Sequence, residues 1–123
     1  MDEEWRPIPG WEELYEISDL GRVRTIGKGK GRRPPGRVLC QRYSRDGYLR
    51  VRLTRSRCEH NPYVHAVVLA AFVGVRPIGH DIDHLNNDRG DSRLTNLEYV
   101  TTSENVRRSY ERRRLLSKEV VAS

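Results

Sequence analysis

The sequence predicts an α+β fold: a small antiparallel β-sheet module at the N-terminus, then a helix, then a strand–loop–strand–helix unit. Three observations carry this. Short stretches in which apolar and polar residues alternate, punctuated by Gly, Pro and Asp, fill the first half of the chain. Residues 62–72 (PYVHAVVLAAF) form an Ala- and Leu-containing run long enough for about three helical turns, closed by Gly74 and Pro77. Thr101 stands three positions before Glu104, a capping box that opens a second helix near the end.

Taken in order, residues 5–10 (WRPIPG) are turn-rich. Residues 14–18 (LYEIS) and 22–26 (RVRTI) both alternate, and the Asp19-Leu20-Gly21 turn between them predicts a hairpin. Residues 27–36 (GKGKGRRPPG) read as a flexible basic loop. That loop lacks the G-x-x-x-x-G-K-[ST] spacing of a phosphate-cradling turn. Residues 38–43 are a further strand candidate, and Arg45-Asp46-Gly47 turn the chain. Residues 48–53 (YLRVRL) predict a strand with Tyr48, Arg50 and Arg52 on one face and Leu49, Val51 and Leu53 on the other. After the helix, residues 78–85 begin an extended piece, 86–95 are polar and turn-forming, and 97–101 (LEYVT) predict a strand. The capped helix then runs to about Leu116. This reading divides the chain into a β-rich module over 1–57, a second module over 58–118, and a tail over 119–123 expected to be frayed.

Composition sets the outer limits. At 123 residues and 36% hydrophobic, the chain is one domain, or one small domain with an appended arm, and its core is modest. The longest apolar run, residues 66–75, is broken by Gly74 and falls well short of the ~18–20 residues of a membrane span. No membrane partner is expected. The acidic start (Met1, Asp2, Glu3, Glu4) has no apolar segment of a secretory signal. Cys40 and Cys58 are too few for a disulfide scaffold, so a reduced, cytoplasmic setting is expected. Cys40, Cys58, His60 and His65 include no Cys-x-x-Cys pair, which disfavours zinc and leaves packing as the expected role of the cysteines.

The charge is +6, mostly from Arg, whose planar fork suits phosphate. Its distribution is more informative than its sum. Thirteen basic residues lie between Arg22 and Arg57, with Asp46 the single acid among them. A second basic cluster, Arg107, Arg108, Arg112, Arg113, Arg114 and Lys118, lies near the C-terminus. Between them sit Asp81, Asp83, Asp88 and Asp91. A passive nucleic-acid binder gains nothing from acids set against phosphate, whereas an enzyme that holds a cation there needs them. Arg22, Arg24, Arg50 and Arg52 in the sheet module and Arg107 and Arg108 on the last helix are the candidate nucleic-acid contacts, with a solvated surface as the alternative. Trp5, Trp11 and Tyr15 either stack on bases or, as such residues more often do in small sheets, form core.

The segment with chemistry in it is residues 83–105 (DHLNNDRGDSRLTNLEYVTTSEN). Asp83-His84 ends the predicted strand, Asn96 follows twelve residues later, and Asn105 falls in the first turn of the last helix. Such a hairpin and helix can gather a strand end and a helix start over one small cavity. Adjacent strand residues point to opposite faces, so Asp83 and His84 can serve one site only if the strand stops there and the backbone turns.

In these residues the sequence resembles the HNH endonuclease superfamily, in its phage and intron homing branch. Asp83-His84, Asn96-Leu97 and Glu104-Asn105 resemble the D-H, N-L and E-N steps of that motif, and Val64-His65 through Phe72 resembles the helix before it. Residues 5–24 (WRPIPGWEELYEISDLGRVR) resemble the nuclease-associated module NUMOD4. Ser92 stands where Asn is usual, and Asn105 stands where many members have His.

The resemblance implies a ββα-metal (His-Me finger) unit and a divalent-metal-dependent DNA endonuclease that nicks DNA or cuts both strands. It implies His84 as general base, a role suited to an imidazole titrating at about 6.5. Asp83 and Asn105 would supply oxygen ligands, which favour Mg²⁺ or Mn²⁺ over Zn²⁺. Asn96 is expected to bind no metal and to bridge backbone groups across the loop, positioning His84. His65 is expected in the core or at a cap, and His80 on a loop surface. The alternative is an inactive, DNA-binding relative; an RNA-binding role rests on charge alone. DNA is the expected partner, in a host cell's cytoplasm, with a homodimer or a phage-encoded partner left open.

Overall fold

The structure, a computed structural model, describes residues 3–26 and 36–122, with side chains through Leu115. The expectation for the glycine- and lysine-rich loop falls outside the described residues, apart from Gly36.

The N-terminal module opens with a three-stranded antiparallel sheet ordered β1 (Trp5–Pro7), β2 (Tyr15–Ser18), β3 (Val23–Thr25). The predicted hairpin is β2–β3, in register Ile17 opposite Val23. Gly21 closes its turn at φ +84°, and its N–H donates to the Ser18 carbonyl at 3.0 Å. The turn-rich start is instead an edge strand: Trp5 pairs with Ser18 and Pro7 with Glu16. Pro7 is tolerated because an edge strand can leave one side of its backbone unpaired.

Residues 38–43 contribute less strand than expected, a bridge between Val38 and Arg24 and then β4 (Gln41–Tyr43). The predicted strand over 48–53 is real but changes partner at Arg52. Its first part, β5 (Leu49–Val51), pairs with β4, and its second, β6 (Leu53–Arg55), pairs with β7 (Cys58–His60). The expected division at 57/58 therefore falls in the turn of the β6–β7 hairpin. Cys40 and Cys58 are free and exposed, not packed as expected.

The first helix, α1 (Val64–Phe72), lies within the predicted run and is central to the core. Its Val64, Val67, Val68 and Leu69 pack with Ile8, Tyr15, Ile17 and Val23 from the sheet, with Val51 and Leu53, and with Leu97. One contiguous core thus joins the N-terminal strands to the later elements. Tyr15 is core, as small sheets favour.

Two antiparallel strands follow, β8 (His80–His84) and β9 (Leu97–Thr101), joined by a polar loop with a 3-10 turn at Leu94–Asn96. The last helix, α2 (Thr102–Ala122), begins where the capping box predicts: Thr101 Oγ1 accepts the Glu104 N–H at 3.1 Å. It runs past Leu116 and takes in most of the tail that was expected to fray. Among the described residues no helix is long and apolar enough to cross a membrane.

Candidate active site

The site is built at the end of β8. Strand pairing stops at His84 opposite Leu97, and the His84 carbonyl accepts the Asn87 N–H at 2.8 Å. Asn87 takes φ 63°, a left-handed conformation that Asn adopts more readily than most residues. Asn96 then ties the loop to itself. Its Oδ1 accepts the Asn86 N–H at 2.9 Å, its Nδ2 donates to the Asp91 carbonyl at 2.9 Å, and its own carbonyl accepts the Leu85 N–H at 2.8 Å. It is buried, and its amide bridges backbone groups across the loop just beyond His84.

The strand ends at His84, but its last two residues meet different neighbours, so the described contacts do not gather Asp83 and His84 over one cavity as the sequence argument expected: each keeps its own face of the strand. His84 turns toward the start of α1 and the β4–β5 hairpin. Its ring centroid lies 4.9 Å from that of His65, nearly edge-on, and 5.3 Å from that of Tyr48. Tyr63 completes the cluster by stacking on His65 at 5.2 Å. The His84 Nε2 and His65 Nδ1 atoms are both buried without a hydrogen-bond partner. Burial holds the His84 imidazole below its ordinary range, against the upward pull of Asp83, Asp91 and Asp88. His65 is pushed down further, to about 4, by burial and then by the neighbouring His84. Both rings are therefore neutral near pH 7, the form in which an imidazole accepts a proton.

Asp83 turns the other way, toward α2, and is only 3% exposed. Its Oδ2 accepts from Arg108 Nη1 at 2.9 Å and from Arg112 Nη2 at 3.0 Å, and its Oδ1 accepts from Arg112 Nη1 at 3.1 Å. Burial alone raises this carboxyl, but the Arg112 and Arg108 hydrogen bonds and charges outweigh it and hold the group below the usual carboxylate range. Asn105, in the first turn of α2, donates from Nδ2 to Asp81 Oδ2 at 3.3 Å. The strand and helix thus bring Asp81, Asp83 and Asn105 to one seam, and the oxygens of Asp83 and Asn105 there have the chemistry of a hard-cation site. Among the described residues no three His, Cys, Asp or Glu gather as a metal cage.

The six candidate DNA-contacting arginines all have partners within the chain. Arg22 pairs with Glu3 and lies 5.7 Å from the Trp5 ring, and Arg24 pairs with Glu16 at 3.0 Å and covers Trp5 at 4.0 Å. Arg50 is half-buried with its guanidinium 4.1 Å over the Tyr63 ring. Arg52 pairs with Glu59 at 2.9 Å and Arg107 with Glu104, and both side chains stay about two-thirds exposed. Arg108 departs most from expectation: besides Asp83 it holds Glu104 at 3.1 Å and Glu98 at 3.5 Å, so its charge is committed to the seam.

Sequence reasoning passed over two residues that the fold brings to His84. Arg89 reaches across from the loop, donating to the Asp46 carbonyl at 2.7 Å with its guanidinium 5.1 Å from the Tyr48 ring. Tyr48 was assigned only to the basic strand face, whereas it packs on both histidines. Alternation along one strand shows the face but not what comes to cover it. His65 is in the core as expected, and His80 is half-buried at the start of β8, not on a loop.

A two-stranded hairpin ending in a buried histidine, a tethering asparagine in its loop, and a following helix that returns an asparagine beside the strand's aspartate together define the ββα unit of HNH nucleases. Two segments of the chain match known families in order, a NUMOD4 motif and after it an HNH endonuclease domain. Residues 62–107 match the family model described as HNH endonuclease, and residues 3–54 match the NUMOD4 motif. Among curated relatives, DNA endonuclease I-HmuI of Bacillus phage SP01 is 31% identical over 84% of this chain and 55% of its own length. An uncharacterized HNH endonuclease of Acanthamoeba polyphaga mimivirus is 34% identical over 83% of this chain and 25% of its own. A solved structure described as DNA binding and cleavage by the HNH homing endonuclease I-HmuI superposes with a TM-score of 0.76 at 29% identity, covering 89% of this chain and 59% of that one. The chain thus spans about half the length of the phage relative and a quarter of the viral one.

Proposed function

We propose that this chain is a DNA endonuclease that hydrolyses phosphodiester bonds with the aid of a divalent cation. The observation that carries the reading is His84, a buried, neutral imidazole at the end of a strand, flanked by Tyr48 and His65, with Arg89 over Tyr48, and anchored by the Asn96-tethered loop. Its relatives named as HNH endonucleases, one of them binding and cleaving DNA, support the same class.

In this reading His84 accepts a proton from the attacking water, which needs the unprotonated ring that burial favours. Tyr48, Tyr63 and His65 fix the plane of that ring by packing. Arg89, over Tyr48, would hold the DNA backbone beside it, and Arg50, over Tyr63, would do so farther along the ring cluster. Asp83 and Asn105 would hold the cation, Mg²⁺ or Mn²⁺ by their oxygen chemistry. When bound, such an ion neutralises phosphate charge and stabilises the leaving oxygen. The exposed arginines of residues 1–57, Arg22 and Arg52 among them, would meet phosphates along the duplex, and Arg107 would do so from α2. Residues 58–118 would carry the chemistry. Action in the cytoplasm of a host cell accords with the phage relative. One site cuts one strand, so double-strand cleavage would require a second copy or a second event.

Incubation of supercoiled plasmid with the protein and Mg²⁺ or Mn²⁺ tests this reading. Conversion to open-circular or linear DNA that stops on chelation is the expected result. Tight DNA binding without cleavage in either metal would instead favour an inactive DNA-binding relative.

A further inference from the structure

Asp83 is the buried carboxylate of the candidate cation site, and three of its roughly four acceptor positions are filled by arginine. Arg112 grips it with two nitrogens, at 3.1 and 3.0 Å, and Arg108 adds a third bond at 2.9 Å. The two arginines are four residues apart on α2, so they project from one face of the helix. Each side chain is just over a quarter exposed, against 3% for Asp83. The carboxylate is therefore inside the seam while part of each arginine side chain reaches solvent, where a polyanion could meet it.

A dication brought to this buried carboxylate meets two guanidinium charges at close range, and that repulsion favours displacing at least one of them. A buried carboxylate holds its positive partners strongly, and Arg108 alone compensates it less than Arg108 and Arg112 together. Each exchange therefore favours the other. DNA phosphate offers the displaced guanidinium a new bidentate partner, which suits arginine's planar fork.

We propose that Arg112, together with Arg108, is an exchange clamp: it holds Asp83 in the free protein and moves to DNA phosphate when the cation takes its place on the carboxylate. This rests on the endonuclease reading above and adds a regulation to it. Cation and DNA binding are then positively linked, each tightening the other by the same factor. The free protein binds the cation weakly and is loaded on DNA.

The test is Mn²⁺ binding to the full chain, followed by the electron paramagnetic resonance of free Mn²⁺, without and with mixed-sequence duplex DNA carrying non-hydrolysable linkages. For the wild type, DNA should tighten Mn²⁺ binding by roughly tenfold, within the usual range of site-to-site coupling. Arg112→Gln should bind Mn²⁺ more tightly than wild type without DNA and lose most of the DNA-induced gain. Arg113→Gln, which removes the same charge from a neighbouring exposed position, should behave as wild type. Wild-type circular dichroism for each variant ensures that binding is compared between folded chains, and Arg108 remains in both to compensate Asp83. Unchanged Mn²⁺ affinity in Arg112→Gln, or an equal change in Arg113→Gln, overturns the clamp. Plasmid nicking by the same preparation separates the two claims. Nicking with unlinked Mn²⁺ binding overturns the clamp alone. Linked binding without nicking upholds the clamp and overturns the endonuclease reading.

Discussion

His65 shows how a single side chain can make this fold sensitive to acid. It is buried between Tyr48, Tyr63 and His84, with Asp46 drawing its pKa up and Arg76 pushing it down, and the balance leaves it at about 4. In the unfolded chain a histidine titrates at about 6.5. As pH falls below 6.5 the unfolded state takes up a proton that the folded state refuses. Stability is therefore fully present above that pH and is lost toward pH 4, by up to about 3 kcal/mol for a shift of this size. Urea unfolding at pH 7 and pH 4.5 should show a clear loss in the wild type and a distinctly smaller one in His65→Phe. Equal losses in the two proteins would show that His65 is not the group responsible.

At the scale of elements, the loop between β8 and β9 depends on Asn96, whose amide serves the Asn86 N–H and the Asp91 carbonyl together. Asn96→Ala strands both groups near His84. A cost of about 1–3 kcal/mol is expected, measured by denaturant unfolding, and under the proposed function cleavage should lose turnover more than substrate affinity, because the arginines proposed to meet DNA are untouched. A stability change within about 0.5 kcal/mol, the range of ordinary surface changes, would mean the loop is held otherwise. This bridging was legible in the sequence because a polar loop of that length needs an internal tie. So were β2, β3, β9, α1 and the start of α2, where alternation or capping is strong. β1 was hidden by Pro7, and β7 by its three exposed residues, which bury no face and so leave no period to read. The Asp83 clamp was not legible. Arg112 stood out only as one of a run of like charges, and which of them turns inward depends on where α2 crosses β8.

The described residues share one packed core in which the strands preceding residue 57 brace the loop between β8 and β9. Leu94 N–H donates to the Asp19 carbonyl at 2.8 Å, and Gly21 lies so close to Ser92 that an added Cβ would sit 3.1 Å from its carbonyl oxygen. Gly21 also holds φ +84°, where a side chain costs roughly 1–2 kcal/mol. Gly21→Ala should lower the unfolding free energy by at least that amount in a single cooperative transition, followed by two probes such as tryptophan fluorescence and far-ultraviolet circular dichroism. Separate transitions would mean the two family segments unfold independently. Such bracing explains how a chain with so small a core holds the loop after His84 in place. It also explains the charge pattern: basic strands and a basic helix border a seam of carboxylates, and much of the surplus is neutralised in place until a polyanion competes for it.

The central claim is that His84 is the base that activates water for DNA cleavage. Its most direct measurement is the single-turnover rate of plasmid nicking by wild type and His84→Ala, without and with added imidazole. The wild type should cut, and the variant should be slower by about 10²–10⁴-fold, the usual worth of a general base. Imidazole in solution should restore part of that loss. Cleavage by His84→Ala at the wild-type rate would contradict the account.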